Sequence, residues 1–188
     1  MPGRCMTLWF SLFISLLLAC GSLHAAPAPA PHIDSEIGAA RLAGQGTFRW
    51  FGIALYDAQL WVGPSGYLAS APEAAPFVLD LRYARALDGQ KIAEASFEQL
   101  EKIHAGTGAQ RAAWRVKMRA IFPDVKQGSH LSGVYLPGFG VRFYLDGKLL
   151  AEVPDAAFAR AFFAIWLAPA STAGQLRLAL LHDAAPRP

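Results

Sequence analysis

The stretch "FARAFFAIWLAPAST", residues 158–172, decides the fold class, because it is too apolar to lie on a protein surface. It carries one charge, Arg160, before it reaches Pro169. A helix that is apolar on nearly all sides must be buried on nearly all sides, and this one is too short to cross a bilayer. We therefore predict that this helix lies in the hydrophobic core. The alternative is that the same side chains form the wall of a ligand pocket. Four large side chains form its main stripe: Phe158, Phe162, Ile165 and Trp166.

Strand and helix patterns alternate in blocks along the rest of the chain. In "FVLDLRYA", residues 77–84, large apolar side chains alternate with others, as in an antiparallel strand with one face on the core. Blocks of strands and helices in turn indicate an α+β fold with an antiparallel sheet. The pattern predicts strands at 40–63 and 77–84, helices at 91–104 and 107–122, and strands at 131–136, 141–145 and 148–153.

Local turn and cap signals define where several of these elements begin. Asp146-Gly147 lies between two strand patterns and predicts a tight hairpin, since both positions favour positive φ. Asp155 is predicted to cap the apolar helix, and Pro169 to end it. Thr107 with Gln110 predicts the capping box of the second helix, and Thr172 with Gln175 that of a final helix.

The N-terminus reads as an export signal. Arg4 precedes the apolar run of residues 6–19, and small residues follow, which favours a cleaved signal over residues 1–26 rather than an N-terminal membrane anchor. Cys20 follows Leu-Leu-Ala, so the second interpretation is lipoprotein processing, with a lipid on Cys20 as an outer-membrane tether. Both predict an exported protein that is periplasmic or associated with the outer membrane.

The remaining chain reads as one domain. Residues 27–36 are rich in Ala and Pro and are interpreted as an extended linker. Residues 37–183 form the domain, and residues 184–188 a tail. The only cysteines, Cys5 and Cys20, lie in or beside the signal, so the domain has no disulfide, cysteine nucleophile or cysteine metal ligand.

Charge and histidine placement exclude other function classes. The formal net charge is +3, and no basic cluster interleaves with aromatic residues, which argues against a nucleic-acid partner. The histidines show no metal-ligand spacing. We therefore expect no metal site and no cofactor.

Four longer motifs carry a resemblance to a known family. They are "GQGTFRWFGIALYDAQLW" (44–61), "FPDVKQG" (122–128), "GVYLPGFGVRFYLDGK" (133–148) and "DAAFARAFFAIWLAPAST" (155–172). Together they resemble the chalcone isomerase-like family in its exported bacterial branch, over residues 38–182. The resemblance implies the chalcone isomerase-like fold, a large antiparallel sheet packed on one face by helices, with a lipophilic cleft between the layers. Its members include chalcone-cyclising plant enzymes, fatty-acid-binding proteins and many bacterial proteins with no assigned role.

The resemblance also implies what the enzymes of the family need, which is a cation and hydrogen-bond donors at a developing oxyanion. Their Arg lies two residues after a G-x-G pair, where this chain has Phe48, with Arg49 one position later. Their Tyr follows a loop similar to "LDGQK", where this chain has Ile92. If the strand is bulged, Arg49 reaches the cleft; otherwise Phe48 lines it. No catalytic residue is assigned.

Polar side chains on otherwise apolar strands are the candidate ligand-binding residues: Arg49, Tyr56, Tyr83 and Tyr144. An Arg and a Tyr in an apolar cleft suit a carboxylate or phenolate head on a hydrophobic tail. The alternative interpretation is that these side chains lie on a solvent-exposed face of the sheet.

Three functions remain open on this reading. The first is a periplasmic binding module for a small lipophilic, anionic ligand. The second is a cofactor-free isomerase or intramolecular lyase acting on a chalcone-like or other enone. The third is a structural envelope protein whose own side chains fill the cleft. The oligomeric state and the ligand are not predicted.

Overall fold

A computed structural model describes residues 27–187 of the chain. Within them, six strands form one antiparallel sheet in which each strand pairs with the next along the chain, as the α+β chalcone isomerase-like expectation requires. None of the helices in the described range is both long and apolar enough to cross a bilayer. The strands are β1 (Arg41–Trp50), β2 (Ile53–Val62), β3 (Phe77–Tyr83), β4 (His130–Leu136), β5 (Gly140–Leu145) and β6 (Lys148–Val153).

Helices cover the sheet unequally. The large hydrophobic core lies between one face of the sheet and the layer that includes α2, α3, α4 and α5. A smaller cluster lies on the opposite face beneath α1. The helices are α1 (Pro31–Ile37), α2 (Gly89–Lys102), α3 (Gly108–Ile121), α4 (Ala156–Leu167) and α5 (Gly174–Leu180).

Helix α4 is the centre of the main core, as its composition predicts. Phe158 is fully buried, and Phe162 and Trp166 keep only 5% and 6% of their surface exposed. Phe143 of β5 meets the Phe162 ring edge-on, with ring centroids 5.2 Å apart. Burial of several aromatic rings on one helix supplies a large share of the hydrophobic stabilisation of such a domain.

Most of the predicted caps are confirmed. Asp155 accepts a hydrogen bond from the Phe158 N–H at 2.9 Å and begins α4. Asp146 and Gly147 have φ values of 48° and 78°, as the tight β5–β6 turn requires. Thr107 begins α3 with a reciprocal capping box, in which its hydroxyl accepts from the Gln110 N–H.

The predicted cap of the last helix is wrong. α5 follows Ala173 and has no side-chain cap. The Thr172 hydroxyl instead donates to the Gln99 side-chain oxygen of α2 at 2.5 Å. A long-range partner therefore takes the hydroxyl that a local capping box would have used.

The "GQG" motif has a packing role in this fold. A Cβ on Gly44 would lie 2.0 Å from the Ala179 carbonyl oxygen, and one on Gly46 would lie 2.9 Å from a methyl carbon of Leu176. Only hydrogen fits at such distances, so the two glycines let α5 lie directly against β1. Close packing of α5 on β1 therefore explains the two glycines of the motif.

The segment interpreted as a linker differs from that expectation. Residues 31–36, together with Ile37, form α1, and only residues 27–30 of the predicted linker have no regular secondary structure. Ile33 and Ile37 lie one turn apart, so both reach the sheet and become buried. They pack on three side chains of the face opposite the main core: Trp61, Val78 and Val134. The predicted export signal and Cys20 lie outside the described residues.

Candidate functional site

An apolar cleft of about 410 Å³ lies between the sheet and the helix layer. Its floor is the helix-facing side of β1, β2 and β3 near the β1–β2 turn, and its walls come from α2 and α4. This volume falls in the usual range for small-molecule sites. The large apolar side chains of its lining are Phe48, Trp50, Leu55, Leu81, Leu87, Ile92, Phe122, Leu131, Phe162 and Ile165.

A smaller cavity of about 140 Å³ lies against another stretch of α4, lined in part by Phe77 and Phe163. Its rim carries the ion pair of Arg160 with Glu73, whose nitrogen and oxygen atoms are 3.3 Å apart. This cavity holds little more than a few water molecules, and its charges already satisfy each other. The larger cleft is therefore the better candidate site.

Tyr56 and Trp166 form the main polar contact in the cleft. The Trp166 indole N–H donates to the Tyr56 hydroxyl oxygen at 3.0 Å. The Phe48 ring stacks on Tyr56 with centroids 5.1 Å apart, which holds the phenol in place. Because an indole can only donate, the Tyr56 oxygen acts as acceptor here and its own proton remains available to a ligand.

Tyr83 adds a second phenol to the same cleft. Its ring lies edge-on to Tyr56 at a centroid distance of 5.9 Å, and only 3% of the residue is exposed. Burial raises the pKa of both phenols well above the usual range, and the Trp166 contact opposes that shift only in part at Tyr56. Both phenols are therefore neutral at physiological pH and carry a proton that can be donated in a hydrogen bond.

Helix α2 supplies the remaining polar groups of the lining. Lys91 and Glu98 both line the cleft from this helix. The Ser96 hydroxyl is used within the helix, where it donates to the Ile92 carbonyl at 2.9 Å. Lys91 is exposed, so its ammonium can meet an acidic head group with only a small desolvation penalty.

The candidate Arg49 does not reach the cleft. β1 alternates regularly only from Gly44 to Trp50, so Phe48 and Trp50 line the cleft while Arg49 lies exposed on the other face. Its guanidinium donates to the Gly52 carbonyl at 3.2 Å. Two register shifts occur between β1 and β2. At the first, the extra residue is Ala43 of β1, between the pairs Leu42–Trp61 and Gly44–Leu60; at the second it is Leu55 of β2, between Phe48–Tyr56 and Arg49–Ala54. The bulge next to Arg49 is therefore on β2, and Arg49 stays outside the cleft.

The candidate Tyr144 also lies away from the cleft. It packs beneath α1, where its hydroxyl donates to the Glu36 carboxylate and its ring lies 4.9 Å from that of His32. Burial and the Glu36 contact raise the pKa of Tyr144 to about 12. Arg142 completes this cluster with an ion pair to Glu36 at 2.9 Å. Of the four candidate residues, only Tyr56 and Tyr83 meet in one site.

A buried polar network on the face beneath α1 escaped the sequence analysis. Asp80 is 4% exposed and accepts from the Ser132 hydroxyl at 2.6 Å, while its other oxygen lies 2.7 Å from the His130 ring nitrogen. Ser132 also contacts His32 at 3.0 Å. The four side chains satisfy one another, which indicates a structural role. An aspartate in the middle of an apolar strand pattern was the available signal.

The indole N–H of Trp166 and the ammonium of Lys91 were also missed as site groups. Trp166 was assigned to the core by its helical stripe, which says nothing about where its N–H points. Across residues 27–187, no group of three or more His, Cys, Asp or Glu side chains is arranged to hold a metal ion. The site is thus built from apolar walls and neutral hydroxyl and indole donors, with the charged side chains of Lys91 and Glu98 on α2.

Comparison with known proteins agrees with this architecture. The sequence model of the chalcone isomerase-like family matches residues 36–182. A protein of Haemophilus influenzae named only as uncharacterized is 33% identical over 106 residues, which is 56% of this chain and 52% of that protein. The chain thus matches about half the length of this curated relative.

A solved structure shows the same fold. The crystal structure of an Arabidopsis thaliana fatty-acid binding protein (AtFAP1) superposes with a TM-score of 0.62 at 13% sequence identity. The match covers 78% of this chain and 88% of the plant protein. At this identity the likeness establishes a shared fold.

Proposed function

Because the chain belongs to the chalcone isomerase-like family, we propose that it is a binding module for a small lipophilic ligand with an acidic or otherwise hydrogen-bond-accepting head. The observation that carries the proposal is the apolar cleft in which Tyr56, fixed by Trp166, presents a neutral hydroxyl. The fold shared with a plant protein that is named for fatty-acid binding agrees with this ligand class.

The walls of the cleft supply the binding energy for the hydrophobic part of such a ligand. Burial of apolar area contributes about 25 cal/mol per Å² removed from water, and the lining is dominated by aliphatic and aromatic side chains. A cleft of about 410 Å³ also argues against the alternative of a structural protein whose own side chains fill the site.

The head of the ligand would face the phenols. Tyr56 and Tyr83 keep their protons at physiological pH, so each can donate to a carboxylate, a phenolate or a carbonyl oxygen. Lys91 at the lining of α2 adds a cation for an acidic head. The two phenols and the flexible ammonium favour any ligand whose head group accepts hydrogen bonds, so they do not restrict the site to one compound.

The second candidate function, a cofactor-free isomerase, is favoured by the same donors, because neutral phenols can stabilise a developing enolate. Chalcone cyclisation itself receives less support. Phe48 lines the cleft at the position where the family's enzymes carry their Arg, and Ile92 lines it where they carry a Tyr. We propose that the protein does not close chalcones to flavanones at a useful rate.

We test the site with a matched pair of tyrosine variants. Tyr56→Phe removes the hydroxyl in the cleft, and Tyr144→Phe removes a hydroxyl beneath α1. The ligands are a medium-chain fatty acid and a hydroxychalcone, titrated by calorimetry. Loss of a hydrogen bond to a charged head costs about 1.5–3 kcal/mol, so Tyr56→Phe should bind the fatty acid about 10- to 100-fold more weakly. Tyr144→Phe should bind as the parent does.

A third variant addresses the corrected residue. Arg49→Ala should leave both affinities unchanged, because its side chain lies on the face away from the cleft. Equal affinities for the parent and Tyr56→Phe would reject Tyr56 as the anchor. Rapid conversion of hydroxychalcone to flavanone by the parent would replace the binding-module proposal with the isomerase.

We also propose that the protein is exported and acts in the periplasm or at the outer membrane. The motif around Arg4 and the apolar run to Ala19 support cleavage, and Cys20 supports the lipoprotein version. Either location would expose the cleft to lipophilic compounds in the cell envelope.

A further inference from the structure

The β1–β2 hairpin ends in a tip whose apolar side chains face solvent. Phe51 is 89% exposed, Ile53 is 53% exposed and Trp50 is 52% exposed. The Trp50 and Phe51 rings contact each other edge-on at 5.0 Å. The tip therefore presents a small, continuous hydrophobic surface that the fold does not cover. A soluble protein normally exposes such residues singly, and a cluster of them marks a contact surface.

Phe51 is an unfavourable residue for the tight turn between β1 and β2. Phe51 and Gly52 connect Trp50 directly to Ile53, and their φ values are 45° and 79°. Two positive φ values in a two-residue hairpin favour Asn-Gly or Asp-Gly, and a bulky residue there is strained. Phe51 therefore costs stability in the fold while gaining little burial in return. A bulky apolar side chain that is strained in the turn and stays exposed points to a contact outside the fold.

The tip is continuous with the cleft. Trp50 lines the cleft and also belongs to the exposed tip, and Leu55 continues the apolar surface from the turn into the lining. Residues 48–56, "FRWFGIALY", contain one charge, the cation of Arg49, and no carboxylate. Tryptophan at an apolar edge with an adjacent arginine is the composition that suits the boundary between lipid head groups and acyl chains.

We propose that this tip inserts shallowly into the surface of a phospholipid bilayer and sets the mouth of the cleft against it. Phe51 and Ile53 would enter the acyl boundary, Trp50 would lie at head-group depth and Arg49 would meet lipid phosphates. The inference rests on the proposed function in one respect: the ligand that fills the cleft would then be collected from, or delivered to, the bilayer. The lipid contact itself requires no ligand.

The test compares two polar substitutions at exposed apolar positions. Phe51→Asn removes the tip aromatic and suits the turn, because Asn tolerates positive φ. Val116→Asn, on the outer face of α3, is the control, since Val116 is 70% exposed and lies outside the cleft lining. All proteins are isolated from the cell envelope in the same processed form, so any contribution of the N-terminus is common to them.

Binding is measured by co-sedimentation with unilamellar vesicles of phosphatidylcholine and phosphatidylglycerol. We expect Phe51→Asn to partition about tenfold less than the parent, as loss of one buried aromatic predicts, and Val116→Asn to partition equally. Arg49→Gln should weaken binding to these vesicles more than to pure phosphatidylcholine. The melting temperature of Phe51→Asn should equal or exceed that of the parent, which shows that the fold is intact.

Separate outcomes test the tip and the cleft. Phe51→Asn should keep its affinity for the fatty acid in solution, whereas Tyr56→Phe should lose that affinity and keep vesicle binding. Equal partitioning of Phe51→Asn and the parent would overturn the membrane contact and leave the cleft proposal standing. A parent that ignores vesicles but forms a dimer, which Phe51→Asn dissociates, would also overturn it and assign the tip to a second copy of the chain.

Discussion

Trp166 shows how one residue serves both the core and the site. Its ring packs on Phe162 at a centroid distance of 5.3 Å, while its N–H holds the Tyr56 hydroxyl. The helical stripe in the sequence predicts the first role, because helical spacing determines which face a residue occupies. The second role depends on a partner 110 positions away in the chain.

Truncation of Trp166 should therefore destabilise the domain strongly. We expect Trp166→Ala to lower the free energy of unfolding by about 3–5 kcal/mol, as removal of a large buried aromatic does. Denaturant unfolding measures the change. Arg160→Ala on the same helix is the control, because Arg160 is exposed and its ion pair should contribute at most about 1 kcal/mol. A Trp166→Ala variant that melts within a degree or two of the parent would contradict the core assignment.

His130 should make stability depend on pH. The contact with Asp80 is the main cause that raises the pKa of His130 above its ordinary value of about 6.5. A raised histidine pKa in the folded state stabilises the protein below the unfolded pKa, and this stabilisation is lost as pH rises through the folded pKa. Burial lowers the pKa of His32, so His32 contributes to the pH dependence of stability in the opposite direction from His130.

The contribution of His130 is isolated by a difference measurement. The gap in unfolding free energy between the parent and His130→Gln should be largest near pH 5 and should shrink toward pH 8. A constant gap for His130→Gln would mean that the charged His130–Asp80 pair is not formed.

At the scale of elements, the contact of β1 with α5 depends on Gly44 having no side chain. Gly44→Ala would place a methyl group 2.0 Å from the Ala179 carbonyl oxygen, so the helix must move. We expect a loss of about 1–3 kcal/mol in unfolding free energy, the usual range for overpacking. Gly108→Ala, at the first residue of α3, meets nothing within 4 Å and should leave stability unchanged or slightly raised. Similar melting temperatures for the two variants would contradict this explanation of the motif.

Helix α1 buries part of the sheet face that lies opposite the main core. The alternation in β3 predicts a polar, solvated side opposite the core. Instead, Val78 and Asp80 on that side are both buried. Part of this face lies beneath α1, whose Ile33 and Ile37 pack on Val78 and its neighbours. A seven-residue helix is too short to give a clear periodic signal, so only its packing on the sheet reveals it.

At the scale of the whole molecule, export remains a prediction that an intact mass can decide. Protein extracted from the cell envelope should lack at least residues 1–19, because Arg4 and the apolar run that follows form the parts of a cleaved signal. A diacylglyceryl adduct on Cys20 would select the lipoprotein pathway, and cleavage near Ala26 the soluble one. A mass that includes residues 1–19, or recovery from the cytosol, would contradict the prediction.

The sequence by itself determined the fold class, the buried α4 helix, the β5–β6 turn and the caps at Thr107 and Asp155. These features depend on residues a few positions apart, so helical or strand periodicity and turn chemistry are enough to specify them. The family resemblance predicted a cleft between the sheet and the helices. Its motifs are continuous stretches of chain, so they can be recognised without knowing which distant segments pair.

Only the tertiary structure decided which polar groups enter that cleft. β1 has a bulge at Ala43 and alternates regularly from Gly44 to Trp50, so Phe48 rather than Arg49 faces the site, and the sequence pattern of β1 does not reveal this bulge. Tyr56 and Tyr83 meet because β2 and β3 pair in register, while Tyr144 is taken by Glu36 on the other face. A one-residue change in strand register reverses the face of every side chain that follows it, so the site depends on pairing between distant segments.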